Sequence, residues 1–495
     1  MGSCEREVIV IGGGISGLTA AWRLKMAGVD VCVLESTEVV GGAMHTEQRE
    51  GFLLEKGPFN LIVRDPAFEQ LLDEFGDEVE VIAADRAVGR ARYILHRHRL
   101  CKVPMTPTEL LRTPLLTLGG KVRLIRGLAV SRRGIGVDAS IHDAATRRFG
   151  RQVADGLVSA MCVGIFSGDS RELSLRGCFP TVADVDERTR SPLGSALSKR
   201  LPSKPRKRKR LRRHWRGLVS FREGLGALPG ALARRLGSKI LTNCAAEAIR
   251  MVDRGYEVQC TLHHGEQIKL RSRHLVLAVP KVVASALLGP VAPEIDETLK
   301  TISATSLVVL NLGFDRNDIN HPLDGYGFLV PRTESSCPLL GVLWADSVFP
   351  HHAPPDRRLL RVFMGGSSRP DMLSKSDTEL VEIALIGLSD LLHVSGNPVL
   401  IHVCRWPDAV PQYTIGHVRR VAQVRHELRQ RRRLHLIGNY LEGVSINDCV
   451  RSAAHAAEQI AQDLGATSIC KCIENEQSHS EAAGARLPAA SSPGG

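Results

Sequence analysis

A run of glycines followed by an acid carries the first chemical signal in this chain. Gly12-Gly13-Gly14-Ile15-Ser16-Gly17 comes directly after the β-branched run 7–11 and opens an amphipathic pattern that continues to Leu24. Strand, glycine turn and helix in that order is the setting for a dinucleotide pyrophosphate. Gly12 permits the tight turn, and Gly14 lets a phosphate approach the N–H groups at the positive helix end, to which Ile15 and Ser16 also belong. Gly17 allows the helix to lie close on the strand. A second strand, 30–34, ends in Glu35, about twenty residues on, where a carboxylate accepts ribose hydroxyls, with Ser36 beside it. A further pair, Gly41-Gly42, marks another close approach of backbone to a bound cofactor, and Gly57-Pro58 follows.

Other reactive groupings are absent from the pattern. The 12 cysteines lie singly, apart from Cys470 and Cys472, with neither metal-ligand spacing nor a disulfide framework. No secretory signal precedes Val8, so a reducing, intracellular compartment is expected. No nucleophile with its base and no acid–base pair emerges, so the expectation is no catalytic side chain and no metal.

These groups need elements to hold them, and 495 residues suffice for two or three domains. With 43% hydrophobic and 24% charged residues, the chain is globular, not collagen-like or wholly disordered. Aromatics at 4% argue against stacking on nucleic acid, and no nucleic-acid partner is expected. No apolar run is long enough to span a bilayer. The net charge of +12 is concentrated at Lys204-Pro205-Arg206-Lys207-Arg208-Lys209-Arg210 with Arg212, Arg213 and Arg216, which reads as a solvated insertion.

Residues 221–236 predict a glycine-rich turn and a helix, followed by strands near 240, at 256–262 and at 274–279. This is a β-rich layer completing a nucleotide-binding half. A strand at 434–440 and a helix at 448–464 close the pattern. From 307 to 403 alternating strands predict a separate sheet whose glycine-rich surrounds suit a wall facing a ligand. Residues 106–130 predict one amphipathic helix with a basic polar face, whose apolar face either rests on a membrane or joins the core.

Several blocks carry a family resemblance. The glycine turn, the Gly41-Gly42 pair and 51–58 resemble the opening of the flavin amine oxidase and protoporphyrinogen oxidase superfamily, with Ala43 where many amine oxidases have Arg. Residues 163–174, 325–331, 340–350, 406–417 and 438–450 resemble the protoporphyrinogen oxidase family, in that family's order, from about Val8 to Leu464. The fold class so implied is α/β: a discontinuous Rossmann-type FAD-binding domain (6–88, 217–286 and 432–468) and a β-rich substrate domain (89–101 and 287–431). A helical, membrane-associating domain (102–203), the basic insertion (204–216) and a disordered tail (469–495) complete it.

The resemblance implies FAD as cofactor and oxidation of protoporphyrinogen IX to protoporphyrin IX in haem biosynthesis. That is a six-electron change in three flavin cycles, with O2 reduced to H2O2. Coproporphyrinogen III is the alternative substrate, and a non-catalytic flavin-fold binding protein a distant alternative function. Carried over by position, Arg92 is the substrate carboxylate partner, with Arg90, Arg97 and Arg99 as rivals. Leu329, Leu343 and Phe363 hold the tetrapyrrole, and Gly168 falls in a substrate-side motif. Trp406 packs near the flavin, and Asn447 and Asp448 place a helix N-terminus at the flavin's carbonyl edge. The family further implies a homodimer and a cytoplasmic or peripheral membrane location, on the mitochondrial inner membrane in a eukaryote.

Overall fold

The computed structural model describes residues 4–129, 138–188, 217–431 and 433–466. The basic insertion and the tail lie outside the described residues.

Apolar alternation builds the first sheet. Val8 and Val10 face one side and Ile9 and Ile11 the other, all buried, as expected for a central parallel strand covered on both faces. The strand Cys4–Ile11 lies between Val31–Leu34 and Gln267–Leu277, and Ile240–Leu241 extends the sheet beyond Val31–Leu34. Gln267–Leu277 also pairs in parallel with Leu434–Leu436 and antiparallel with Gly255–Leu262, which carries Cys244–Val252 outside it. The registers Ile11↔Leu34, Ile11↔Leu277, Leu34↔Leu241 and Leu277↔Leu436 bring five parallel strands to a stop in one line. Segments distant in the chain therefore open onto one crevice at the carboxyl ends, the usual ligand position in such sheets. Helices Ile15–Met26 and Ile446–Asp463 cover one face, and helices Lys281–Leu288 and Pro293–Lys300 cover the other.

The second sheet runs in the order Leu400–Pro411, Ala304–Asp315, Arg357–Gly365, Gly341–Trp344, Gly327–Leu329, Tyr93–His96, Arg99–Lys102. Its pairings are antiparallel except that of Gly327–Leu329 with Tyr93–His96. One face packs on helix Asp377–Leu392, which corrects the purely strand-based expectation for 307–403. The signal was present: Ser376 and Glu379 form a capping box at the start of that helix. The opposite face meets segment 55–57, to whose carbonyls Arg361 donates.

The helical region differs from expectation in two respects. The single helix predicted over 106–130 is two, Pro107–Arg112 and Leu118–Ala129, broken at Thr113-Pro114, because a proline supplies no backbone donor and forces the preceding residue into extended conformation. The faces also differ: Arg112, Arg123 and Arg126 are exposed as expected, but Lys121 is not. Lys121 is buried and donates through Nζ to the Leu111 carbonyl, while Leu111, Leu118, Val122 and Ile125 are exposed. Among the described residues, no helix is long and apolar enough to cross a membrane. The last helix begins at Ile446, two residues before the expected start, with Ser445 as N-cap.

Three buried histidines tie stability to pH. Burial pushes His352 down to about 3 and His417 and His435 down to about 4. All three are neutral when folded and bind protons in the unfolded chain near 6.5. Their contribution is therefore fully present above about pH 6.5 and is lost as pH falls toward 4, by up to about 1.4 kcal/mol per pH unit for each group. Urea midpoints should drop over that window, and His352→Leu should flatten the drop; a midpoint constant from pH 7 to 4.5 contradicts this.

Candidate functional site

The glycine turn has the shape a diphosphate requires. Gly12 sits at φ +107°, and a Cβ there would lie 2.5 Å from the Ala278 carbonyl oxygen; at Gly17 it would lie 1.9 Å from that of Gly12. Neither position admits a side chain, so the helix Ile15–Met26 rests directly on the turn. Around Gly14 there is open space: a Cβ would meet nothing within 4 Å. Gly14 is also the N-cap of the helix, with no side-chain cap and no acid in the first turn, so the positive end stays open to an anion. Ile15 and Ser16 have buried side chains and present only backbone at that terminus.

The second glycine pair closes on the first. Gly41 N–H donates to the Gly13 carbonyl at 2.8 Å, and a Cβ on Gly42 would be 3.4 Å from Gly14 Cα. Glu35 accepts from Gly13 N at 2.7 Å through Oε2, and from Thr37 N and Oγ1 at 2.9 and 2.7 Å through Oε1. Ser36 is exposed beside it, its hydroxyl 3.4 Å from Oε1. Thr37 had not been singled out by sequence reading, although it fixes the acid's rotamer.

A third segment, 55–58, packs on the residue after the glycine pair: a Cβ on Gly57 would be 2.4 Å from the Ala43 carbonyl oxygen. Trp406 Nε1 donates to the Lys56 carbonyl at 2.8 Å, which places Trp406 against this segment next to Pro58. Asn447 Oδ1 accepts from the backbone of Arg64 and Asp65, and its Nδ2 donates to the Ile62 carbonyl. Asn447 thereby ties the last helix to the chain just beyond Pro58. The Asp448 carboxylate is engaged in the capping box with Ser445 and in an ion pair with Arg451, so it is not the N-cap itself.

Two buried charged residues that sequence reading missed stand here. Glu55 accepts from Leu225 N at 2.6 Å and Thr46 Oγ1 at 2.9 Å, and burial pushes its carboxyl up to about 7. Arg361 is 1% exposed and donates to the Glu55 and Gly57 carbonyls at 2.8 and 2.9 Å. A charged residue in the apolar run Leu359-Leu360-Arg361-Val362-Phe363 was the available sign.

Cross-strand register assembles the substrate-side candidates. Leu329 pairs with Gly341, which pairs with Phe363; Gly327 pairs with Leu343, which pairs with Arg361. Directly paired residues share a face, so Leu329, Leu343, Phe363 and Arg361 lie on one surface with glycines as gaps between the side chains. Ile94 pairs with Leu329, and Arg92, two residues earlier, stands at the rim. Arg92 is exposed, and its guanidinium lies 4.7 Å from the centre of the Tyr326 ring, whose hydroxyl donates to Asn60 Oδ1 at 2.7 Å. Arg97 sits beyond the far end of the strand Tyr93–His96, roughly 16 Å along it from Arg92 at about 3.3 Å per residue, and Arg99 opens the next strand opposite His96, at that same far end. Arg90 ends a separate short helix. Gly168 is elsewhere in character: a Cβ there would be 2.1 Å from Gln412 Oε1, so it serves close packing at the end of helix Ser159–Phe166. Among the described residues, no group of three His, Cys, Asp or Glu could hold a metal.

A parallel sheet with a glycine cradle, facing a second sheet with an apolar surface, is the plan of a dinucleotide-dependent oxidoreductase. The chain belongs to the flavin-containing amine oxidoreductases, whose family model matches residues 15–461. It is thus an oxidoreductase with FAD as its cofactor. It is 30% identical to protoporphyrinogen oxidase 1, chloroplastic, of Arabidopsis thaliana over 475 residues, covering 92% of this chain and 88% of that protein. It is 26% identical to coproporphyrinogen III oxidase of Bacillus subtilis (strain 168), covering 91% and 97%. A crystal structure from Exiguobacterium sp. 255-15, provisionally assigned as a protoporphyrinogen oxidase, matches with a TM-score of 0.78 at 26% identity, covering 94% of this chain and all of that one.

The open space at Gly14 fits the FAD diphosphate, and this can be tested directly. A Cβ at Gly14 meets no protein atom within 4 Å, so Gly14→Val should fold yet, with its side chain in that space, purify without bound flavin. A yellow Gly14→Val protein with full flavin absorbance would contradict the assignment.

Proposed function

We propose that the chain oxidises protoporphyrinogen IX to protoporphyrin IX in haem biosynthesis. The carrying observation is the sheet face on which Leu329, Leu343 and Phe363 are spaced by glycines, with the Arg92 guanidinium at its rim. A flat tetrapyrrole with an apolar body and propionates at one edge is complementary to that surface. Segments 6–88, 217–286 and 432–468 form the cofactor half in this reading, and 89–101 with 287–431 the substrate half.

FAD held by the turns at Gly12–Gly17 and Gly41-Gly42 would supply two-electron redox chemistry with O2 as acceptor and H2O2 as its product, so removal of six electrons would need three rounds. The chain's own work is placement. Arg92 pairs with a propionate through its planar fork, and Tyr326, anchored on Asn60, supports the guanidinium from beneath. Leu343 and Phe363 exclude water from one face of the ring, while helix Ser159–Phe166 covers Leu329, with Gly164 set directly against it. No side chain is asked to act as nucleophile or metal ligand. Protoporphyrinogen is preferred to coproporphyrinogen III because the lining is apolar, whereas two further propionates need further cations.

We also assign a peripheral membrane contact to the helical region. Met105, Leu111, Leu118, Val122 and Ile125 are 48–80% exposed, with Arg112, Arg123 and Arg126 among them. Apolar side chains flanked by cations suit the surface of an anionic bilayer.

Arg92→Ala should raise KM roughly ten- to a hundredfold, the loss of a charge-assisted contact of about 1.5–3 kcal/mol, with flavin content unchanged. Arg92→Lys should recover only part of it, and Phe363→Ala should lower kcat as well. Porphyrin fluorescence growing in under air from each porphyrinogen is the assay. Faster turnover of coproporphyrinogen would replace the substrate, and no turnover of either would overturn the reading.

Sedimentation with phosphatidylserine vesicles at low salt should carry the protein down, less so for Leu118→Glu/Val122→Glu. Equal sedimentation of both proteins, or none of either, would remove the membrane contact.

A further inference from the structure

Arg361 is a guanidinium sealed inside the protein at the junction of the two sheets. Nε donates to Asn311 Oδ1 at 3.0 Å, and Nη2 donates to the carbonyls of Glu55 and Gly57. Phe59 and Phe363 flank the plane, with ring centres 5.3 and 5.5 Å from Cζ. Nη1 is buried and has no hydrogen-bond partner. Among the described residues, no carboxylate reaches salt-bridge distance of this cation. The Glu55 carboxyl is turned to Thr46 and Leu225, and burial pushes it up to about 7, so it is only partly ionised at neutral pH.

A buried arginine with an unmade hydrogen bond and no counter-anion is costly in isolation. The cost has a function if something occupying the site supplies the missing acceptor and charge. Burial lowers Arg361 only to about 10, so it remains a cation at neutral pH. Its carbonyl partners belong to the segment that packs on Ala43, immediately after the Gly41-Gly42 turn that closes on Gly14. Through Nη2, Arg361 thus bonds the segment that touches the residue following this glycine pair. Two-electron reduction of a flavin with uptake of one proton leaves a negative charge on the ring. Cations placed in advance, in a dry interior, stabilise such developing charge far better than solvent does.

We propose that Arg361 is the buried counter-charge of the reduced FAD, with Nη1 as its free donor. Arg361 thereby raises the tendency of this flavin to accept electrons, whatever the organic substrate. Asn311 acts through it: Oδ1 holds Nε, and Nδ2 lies 3.2 Å from His402 Nδ1, which fixes the amide's orientation. The titratable groups around the guanidinium are Glu55, Tyr326, Cys404, His352 and His402, all shifted toward their neutral forms by burial. Of these only Glu55, at about 7, carries partial negative charge at neutral pH, and its carboxylate is engaged by Leu225 N and Thr46 Oγ1.

The test is the midpoint potential of the bound FAD, read spectrally against reference dyes in the purified holoprotein. Arg361→Gln keeps an amide donor and removes the charge. It should disfavour the reduced flavin at least tenfold relative to the oxidised form, about 30 mV more negative for a two-electron couple. Arg361→Lys should recover most of that shift. An unchanged potential in Arg361→Gln, or an equal loss in Arg361→Lys, overturns the proposal. So does a raised substrate KM without a change in potential, which would make a substrate carboxylate the anion. Should neither variant retain flavin, the unmodified protein decides: its reduced flavin should keep the anionic spectrum below about pH 6, and a neutral reduced ring at pH 7 overturns the proposal. Failure of the porphyrinogen assay leaves this result untouched, because the potential is measured without substrate.

Discussion

The backbone of residues 55–57 is held at three successive carbonyls by side chains of the second sheet. Arg361 takes Glu55 and Gly57, and Trp406 takes Lys56. The segment leaves its hairpin with Thr46–Arg49 here, and each carbonyl left unmade would carry a penalty of about 1–3 kcal/mol. Donors from the second sheet remove that penalty and thereby tie the segment to that sheet. Because Gly57 touches Ala43 and Asn447 holds the chain at Ile62–Asp65, the same constraint locates the glycine cradle and the last helix relative to the sheet face.

Glycine operates on both sides of that junction for different reasons. At Gly12 and Gly17 the backbones of turn and helix are in contact, so any Cβ would collide. On the second sheet, Gly327 and Gly341 alternate with Leu343 and Leu329 where the neighbouring strand comes too close for a side chain: a Cβ would lie 2.1 Å from the Val342 carbonyl oxygen and 2.6 Å from that of Phe328, respectively. Gly327, at φ +135°, also breaks the strand's alternation and lets Tyr326 reach the site side, beneath Arg92. One residue type thus lets a helix rest on a turn on one side, and lets strands close up and one strand change its alternation on the other.

Burial shapes the electrostatics in the same place. Glu55 and Arg361 are both removed from water yet are not paired side chain to side chain. Each is moved toward its neutral form, and each spends its hydrogen-bonding capacity on backbone. Such groups are usually eliminated from cores unless they hold a geometry or await a charge. Here they do the first by joining three segments, and the unpartnered Nη1 leaves room for the second.

The glycine turn, the acid after the second strand and the central alternation were legible in the sequence because each depends on neighbours within a few residues. A tight turn needs glycine locally, and a buried parallel strand is apolar throughout. The helix Asp377–Leu392 was legible in its capping box and was overlooked among the strands. What the tertiary structure alone decided depends on contacts across hundreds of residues. The apolar run around Arg361 hints at burial, but its role is decided only when Asn311, Glu55 and Gly57 close around it. Lys121 reads as the polar face of one helix until Thr113-Pro114 breaks that helix and folds it back onto the Leu111 carbonyl. Likewise Leu329, Leu343 and Phe363 become one surface through register, which is fixed by the pairing of distant strands and not by any spacing within them.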